Sequence, residues 1–141
     1  FNSRDNARTP MQWDTSEHAG FTTGTPWLPA NENYHTINAA AEEKDADSVL
    51  SYYKQIIRLR KTNPVLLSGV YEELLADNEQ IYAFSRTEGT RRTVTAVNFS
   101  LEEAQLPAGF LKGVRLIGSY ADAPSTVLRP LEAVVYEEEV K

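Results

Sequence analysis

Apolar positions along the chain fall into three stretches of different texture. In residues 1–45, Trp13, Phe21, Trp27, Leu28, Tyr34 and Ile37 recur without a sustained period. They are interleaved with the turn formers Pro10, Gly20, Gly24, Pro26, Pro29, Asn31 and Asn33, which predicts a long loop. A loop this long and this aromatic is either functional or strapped onto something larger by its rings. The pattern leaves both readings open.

Residues 46–63 change to a helical period. Val49, Leu50, Tyr53, Ile56, Ile57 and Arg60 follow the i, i+3, i+4, i+7 rule. Asp45, Asp47 and Ser48 supply N-cap chemistry and acidic charge at the positive end of the helix dipole. Lys54, Arg58, Arg60 and Lys61 load the other half with cations. They read as a solvated face rather than an anion site. Asn63-Pro64 predicts the stop.

From residue 65 onward short β-type runs take over: 70–75, 81–86, 93–99, 114–117 and 132–136, with a weaker one near Val127. Turn clusters at 77–80 and 88–90 separate the first three. A spacing of about ten residues per strand predicts an antiparallel sandwich or barrel. The tyrosines of this half, with Phe84 or Phe99, are expected in its core. Glu137-Glu138-Glu139 reads as a solvated terminus.

Composition narrows the function classes. The 141 residues carry a formal charge of −6, with no dense Lys/Arg cluster, so no nucleic-acid partner is expected. The 41% hydrophobic content is enough for a packed core. No cysteine is present, which removes disulfides, thiolate metal sites and cysteine nucleophiles together. No apolar run approaches the roughly 20 residues of a membrane span, and the opening lacks a signal-peptide pattern. No membrane partner is expected. The chain opens Phe1-Asn2-Ser3-Arg4 and its only methionine is Met11, so it is expected to be a fragment.

Unaided, the residues make no catalytic constellation. His18 and His35 lack the partners that a zinc helix needs, and there is no nucleophile elbow or phosphate-cradling loop. Neither metal nor cofactor is expected. One segment is distinctive. Arg4-Asp5-Asn6-Ala7-Arg8-Thr9-Pro10-Met11-Gln12-Trp13-Asp14 packs two arginines, two aspartates, amides and an indole into eleven positions. Such a palette suits sugars, because planar donors and acceptors meet hydroxyl pairs while an indole covers the apolar ring face. It also suits ordinary ion pairs with Trp13 in a core. The residues do not choose.

That segment, followed by Ala19-Gly20-Phe21, Pro26-Trp27-Leu28 and Asn33-Tyr34, resembles bacterial α-glucosidases of the oligo-1,6-glucosidase type. These enzymes belong to the α-amylase superfamily; trehalose-6-phosphate hydrolases, dextran glucosidases and sucrose isomerases share the pattern. The stretch Tyr53–Lys61 resembles their last barrel helix, and Leu128–Tyr136 resembles the final strand of their C-terminal domain. The resemblance implies a mainly β fold: an antiparallel β-sandwich preceded by a long loop and the last helix of a (β/α)8 barrel. Residues 1–64 would be the barrel tail, with an active-site-side loop at 1–45 and the helix at 46–63. Residues 65–141 would be the C-terminal sandwich.

The resemblance also implies a mechanism for a parent enzyme. Retaining glycosidases use a carboxylate nucleophile and a carboxylic general acid about 5–5.5 Å apart. Both, with a further aspartate, are expected on earlier barrel strands, so no catalytic residue is assigned here. Arg8 matches a family arginine that pairs with an aspartate and reaches the hydroxyls of the non-reducing glucose. Arg8 is the first substrate-binding candidate, with Arg4 and Asp5 behind it. The implied partners are a short α-glucan oligosaccharide and the missing catalytic barrel, with self-association of the exposed fragment. A cytoplasmic location follows from the resemblance and the absent cysteines. The alternative is a standalone carbohydrate-binding or structural β-sandwich module.

Overall fold

A computed structural model describes residues 5, 7–122 and 126–140. They form two compact units, one running up to Gln55 and one from Ile56.

In the first unit, two 3₁₀ turns (Glu17–Gly20 and Glu32–His35) and a short helix α1 (Ala39–Glu42) punctuate the loop. Chain segments distant in sequence satisfy the first N–H groups of α1, which a helix cannot pair itself. The Gln12 carbonyl accepts from Ala39 N–H at 2.9 Å, and the Trp13 carbonyl from Ala40 N–H at 2.9 Å. The buried Asn38 caps the next, accepting from Ala41 N–H at 2.9 Å while donating to the Tyr34 carbonyl. This periodless stretch therefore holds one shape through hydrogen bonds rather than through a core.

Helix α2 (Val49–Thr62) occupies the predicted helical stretch. Ser48 is its cap, accepting from Ser51 N–H at 3.1 Å, and the Glu42 carboxylate takes Leu50 N–H at 2.9 Å. None of its residues is buried; Val49 is 67% exposed and Tyr53 61%. Asn63-Pro64 ends α2 as expected but also starts α3 (Pro64–Ser68). The Asn63 side chain accepts from Val65 N–H at 3.0 Å, and Pro64 sits in the first turn, where its missing N–H costs nothing.

The second unit is built on seven strands: β1 (Val70–Leu74), β2 (Ile81–Glu88), β3 (Arg91–Asn98), β4 (Ala104–Gln105), β5 (Val114–Gly118), β6 (Val127–Leu128) and β7 (Ala133–Glu139). Five form an antiparallel sheet in the order β1-β2-β3-β7-β5, and β4 pairs with β6 in a small second sheet. The two sheets make the antiparallel sandwich expected from the strand spacing. Ile81, Ala83, Ala96, Val134 and Tyr136 of the large sheet cluster with Ala104, Leu106 and Leu128 from the small sheet and its flank. Alanines at three of these positions keep the layers close.

Two expectations need correction. Of the aromatics read as core, Tyr136 is buried, whereas Tyr71, Tyr82 and Phe99 are exposed. Side chains alternate across a strand. Burying Ile81, Ala83 and Ser85 therefore turns Tyr82 and Phe84 to the other face. The acidic run is not a solvated terminus either. Glu137 to Glu139 complete β7, opposite Thr93, Arg92 and Arg91 of β3. Glu137 meets Arg91 at 2.8 Å, and Glu138 approaches Arg92 at 3.7 Å. Cross-strand opposite charges of this kind stabilise a pairing.

Candidate functional site

The distinctive sugar-like palette lies in the first unit. Arg8 donates its backbone N–H to the Asp5 carbonyl at 3.0 Å, closing a turn. Its exposed guanidinium reaches across to Trp27, 6.0 Å from the indole centroid, at the outer limit of cation–π distance. Trp27 is 77% exposed. A flat apolar surface and a cationic fork thus stand together in solvent. Asp5, the first residue of this turn, is half-buried. Arg4 lies outside the described residues.

Elsewhere in the first unit the backbone is constrained. His18, Ala19 and Gly20 are successively left-handed, with φ of 54°, 60° and 67°. For non-glycine residues this conformation costs about 1–2 kcal/mol each. The turn persists because the buried Ala19 carbonyl accepts N–H from both Trp13 (2.9 Å) and Asp14 (3.3 Å). The Asp14 carboxylate fills the space where a Gly20 Cβ would fall. It accepts from the hydroxyl and N–H of Ser16, which hold its carboxyl below the usual aspartate range. Trp13 is half-exposed at this junction. With Pro10, Met11, Ile37 and Leu50 it lines a groove of about 490 Å³.

Of the three candidates, the geometry sets Arg8 against an aromatic face and Asp5 at the start of its turn. Trp27 was not singled out from sequence, although Pro26-Trp27-Leu28 in a turn-rich loop carried the signal: a large ring with no helical or strand partner. Among the described residues, no group of three or more His, Asp or Glu side chains is placed to hold a metal, and no helix is long and apolar enough to cross a membrane. The arrangement can stack a ring and donate hydrogen bonds.

Known proteins resemble the chain along nearly its whole length. Residues 2–69 match the α-amylase catalytic-domain family. The oligo-1,6-glucosidase of Parageobacillus thermoglucosidasius is 42% identical over 97% of this chain, which covers 26% of that enzyme. The trehalose-6-phosphate hydrolase structure from Bacillus licheniformis superposes with a TM-score of 0.87 at 36% identity, covering 99% of this chain and 27% of its own. The isomaltulose synthase structure from Klebsiella sp. LX3 gives 0.85 at 42% identity, covering 95% and 25%. The chain thus spans about a quarter of the length of the relatives it matches. It is similar to the α-amylase catalytic-domain family over residues 2–69 and to the oligo-1,6-glucosidases along nearly its whole length.

Proposed function

We propose that this chain is part of a retaining, exo-acting α-glucosidase that hydrolyses terminal α-glucosidic bonds of short oligosaccharides. Identity of 42% along nearly the whole chain to an oligo-1,6-glucosidase supports this reading most strongly. In it, residues 1–64 are the tail of the catalytic barrel and residues 65–141 its C-terminal sandwich. Arg8 contacts a substrate hydroxyl, with Arg4 and Asp5 behind it as substrate-binding residues. The nucleophile and general acid come from the part of the parent that this chain lacks, and the parent works in the cytoplasm.

The exposed apolar side of α2 supports the missing barrel as first partner. Without it, this surface drives self-association of the isolated chain, which sedimentation equilibrium reads as a mass above that of one chain. The catalytic assignment is tested by a chimera in which this chain replaces the stretch it matches in the Parageobacillus enzyme. The chimera turns over an aryl α-glucoside and the isolated chain does not. A folded chimera without turnover, or turnover by a homogeneous sample of the chain alone, contradicts the proposal.

A further inference from the structure

The loop of the first unit has two arms that meet at a polar joint. One arm runs from Arg8 through Pro10 to Trp13, and the other from Trp27 through Asn33 to Ala40. Arg8 and Trp27 face each other at 6.0 Å. Further along both arms, the half-buried Gln12 reaches across. Its side-chain amide carries two N–H donors. One goes to the Asn33 side-chain oxygen at 3.1 Å, and the same nitrogen also donates to the Ile37 carbonyl. The Gln12 carbonyl, accepting from Ala39 N–H at 2.9 Å, ties the same residue to the start of α1.

Both acceptors are held in place by their own arm. Asn33 sits in the 3₁₀ turn Glu32–His35. Its carbonyl accepts N–H from Ile37 at 2.8 Å and from Thr36 at 3.0 Å. The two acceptors of the Gln12 amide are therefore bonded to each other and offer it a fixed pair. The spacers between joint and site are short and stiff. Residues 9–11 separate Arg8 from Gln12, and residues 28–32 separate Trp27 from Asn33. Each spacer holds a proline, which locks φ, and Pro10 is buried. An extended chain advances about 3.3–3.6 Å per residue, so Arg8 stays within about 14 Å of the joint. A displacement at Gln12 is therefore passed on to Arg8 rather than absorbed by slack.

We infer that Gln12 is a positioning residue for substrate binding: its amide sets the spacing of the two arms and so places the Arg8 guanidinium beside Trp27. The inference rests on the substrate-binding role proposed for Arg8, through which Gln12 acts. The amide is suited to this because both of its donors are used on one arm while its backbone belongs to the other. Gln12→Met keeps the length of the side chain and removes both donors. The backbone bonds of Gln12 and Trp13 to α1 survive the change, so the loop stays folded while its spacing is released.

A double-mutant cycle in the chimera, read by steady-state kinetics on an aryl α-glucoside, tests this. Gln12→Met raises KM about threefold to tenfold and leaves kcat within about twofold, as expected for misplaced binding. In an Arg8→Ala background the same change leaves KM unaltered, because the group it positions is gone. A glutamine that only stabilises the loop would lower the melting temperature without moving KM, or would raise KM equally in both backgrounds. Either result overturns the inference. Asn33→Ala is the milder variant, since it removes one acceptor and leaves the Ile37 carbonyl; it raises KM by a smaller factor, and an unchanged KM also overturns the inference. Nuclear magnetic resonance of the isolated chain reads the joint without catalysis. The Trp27 ring current shifts the Arg8 side-chain protons upfield, and Gln12→Met abolishes most of that shift. An active chimera with the shift unchanged by Gln12→Met removes only this inference. An inactive chimera, with the shift lost in Gln12→Met, removes only the glucosidase reading.

Discussion

The Glu132 carboxylate, fully removed from solvent, is held by Arg129 three times over. The Arg129 guanidinium donates to its two oxygens at 2.8 and 3.0 Å, and the Arg129 backbone N–H donates at 2.8 Å. The same guanidinium reaches Asp122 at 2.8 Å and stacks 3.9 Å over the Tyr120 ring. One arginine thus pins the chain entering β7 to the segment that follows β5. Removing one partner of a buried pair costs more than the pair itself contributes. Arg129→Ala therefore destabilises the second unit by about 3 kcal/mol, and Arg129→Lys, which loses the two-pronged grip, by somewhat less. Urea unfolding followed by circular dichroism measures both.

Burial by itself would raise the Glu132 carboxyl, but the hydrogen bonds and charge of Arg129 outweigh it and hold the group below the usual glutamate range. Glu137 behaves alike: burial opposes, while Asn63 and Arg91 prevail. A carboxyl with a lowered folded-state pKa binds fewer protons folded than unfolded, so stability rises with pH through the acid range. This contribution is complete above the unfolded value near pH 4.3 and is lost as pH falls toward the folded values. Unfolding midpoints measured from pH 3 to about pH 6 will climb and then level. Glu132→Gln flattens the climb.

Asn63 serves α3 with one end and Glu137 with the other, at 3.0 and 2.7 Å. Asn63→Ala loses the cap and costs about 1–2 kcal/mol. Asn63→Asp keeps an acceptor for Val65 N–H but sets a second carboxylate against Glu137. That variant is weaker than wild type at neutral pH and regains stability on acidification, the opposite of the parent's trend. Thermal melts at two pH values separate the cases.

Gly113 lies just before β5 at φ 77°, and a Cβ there would collide with the Glu137 carbonyl. Gly113→Ala therefore pays left-handed strain and displaces β5 from β7. A loss of about 2 kcal/mol or more in unfolding free energy is expected. Gly89, also left-handed at φ 58°, has open space around it. Gly89→Ala pays only the backbone term, about 1 kcal/mol.

Arg8 is expected to act in binding. In the chimera, Arg8→Ala raises KM for an aryl α-glucoside by about tenfold or more, the effect of losing one charged hydrogen bond. Trp27→Ala, which removes the ring beneath the guanidinium, raises KM by a smaller factor. Steady-state kinetics on the two variants checks the order.

Periodicity made α2 and the five main strands legible, because those segments bury or present one face at a fixed repeat. It could not show α3, a helix only five residues long. There Asn63-Pro64 acts as stop and start at once, and a single turn carries no period. Nor could it choose between the faces of β2: Ile81-Tyr82-Ala83-Phe84 is apolar throughout, and the small side chains won the core because the second sheet packs close. The acidic ending was misread because its partners, Arg91 and Arg92, lie more than forty residues away in sequence and become neighbours only through the β3–β7 register. At the candidate site, the Arg8 motif was visible as chemistry, whereas Trp27 became its companion only through the path of the loop.

The most direct test of the central claim is hydrolysis of an aryl α-glucoside, measured side by side for the isolated chain and for the chimera with the Parageobacillus enzyme. The account predicts turnover well above blank for the chimera and none for the chain alone. Hydrolysis by the homogeneous isolated chain, or a correctly folded chimera that releases no aryl alcohol, would contradict it.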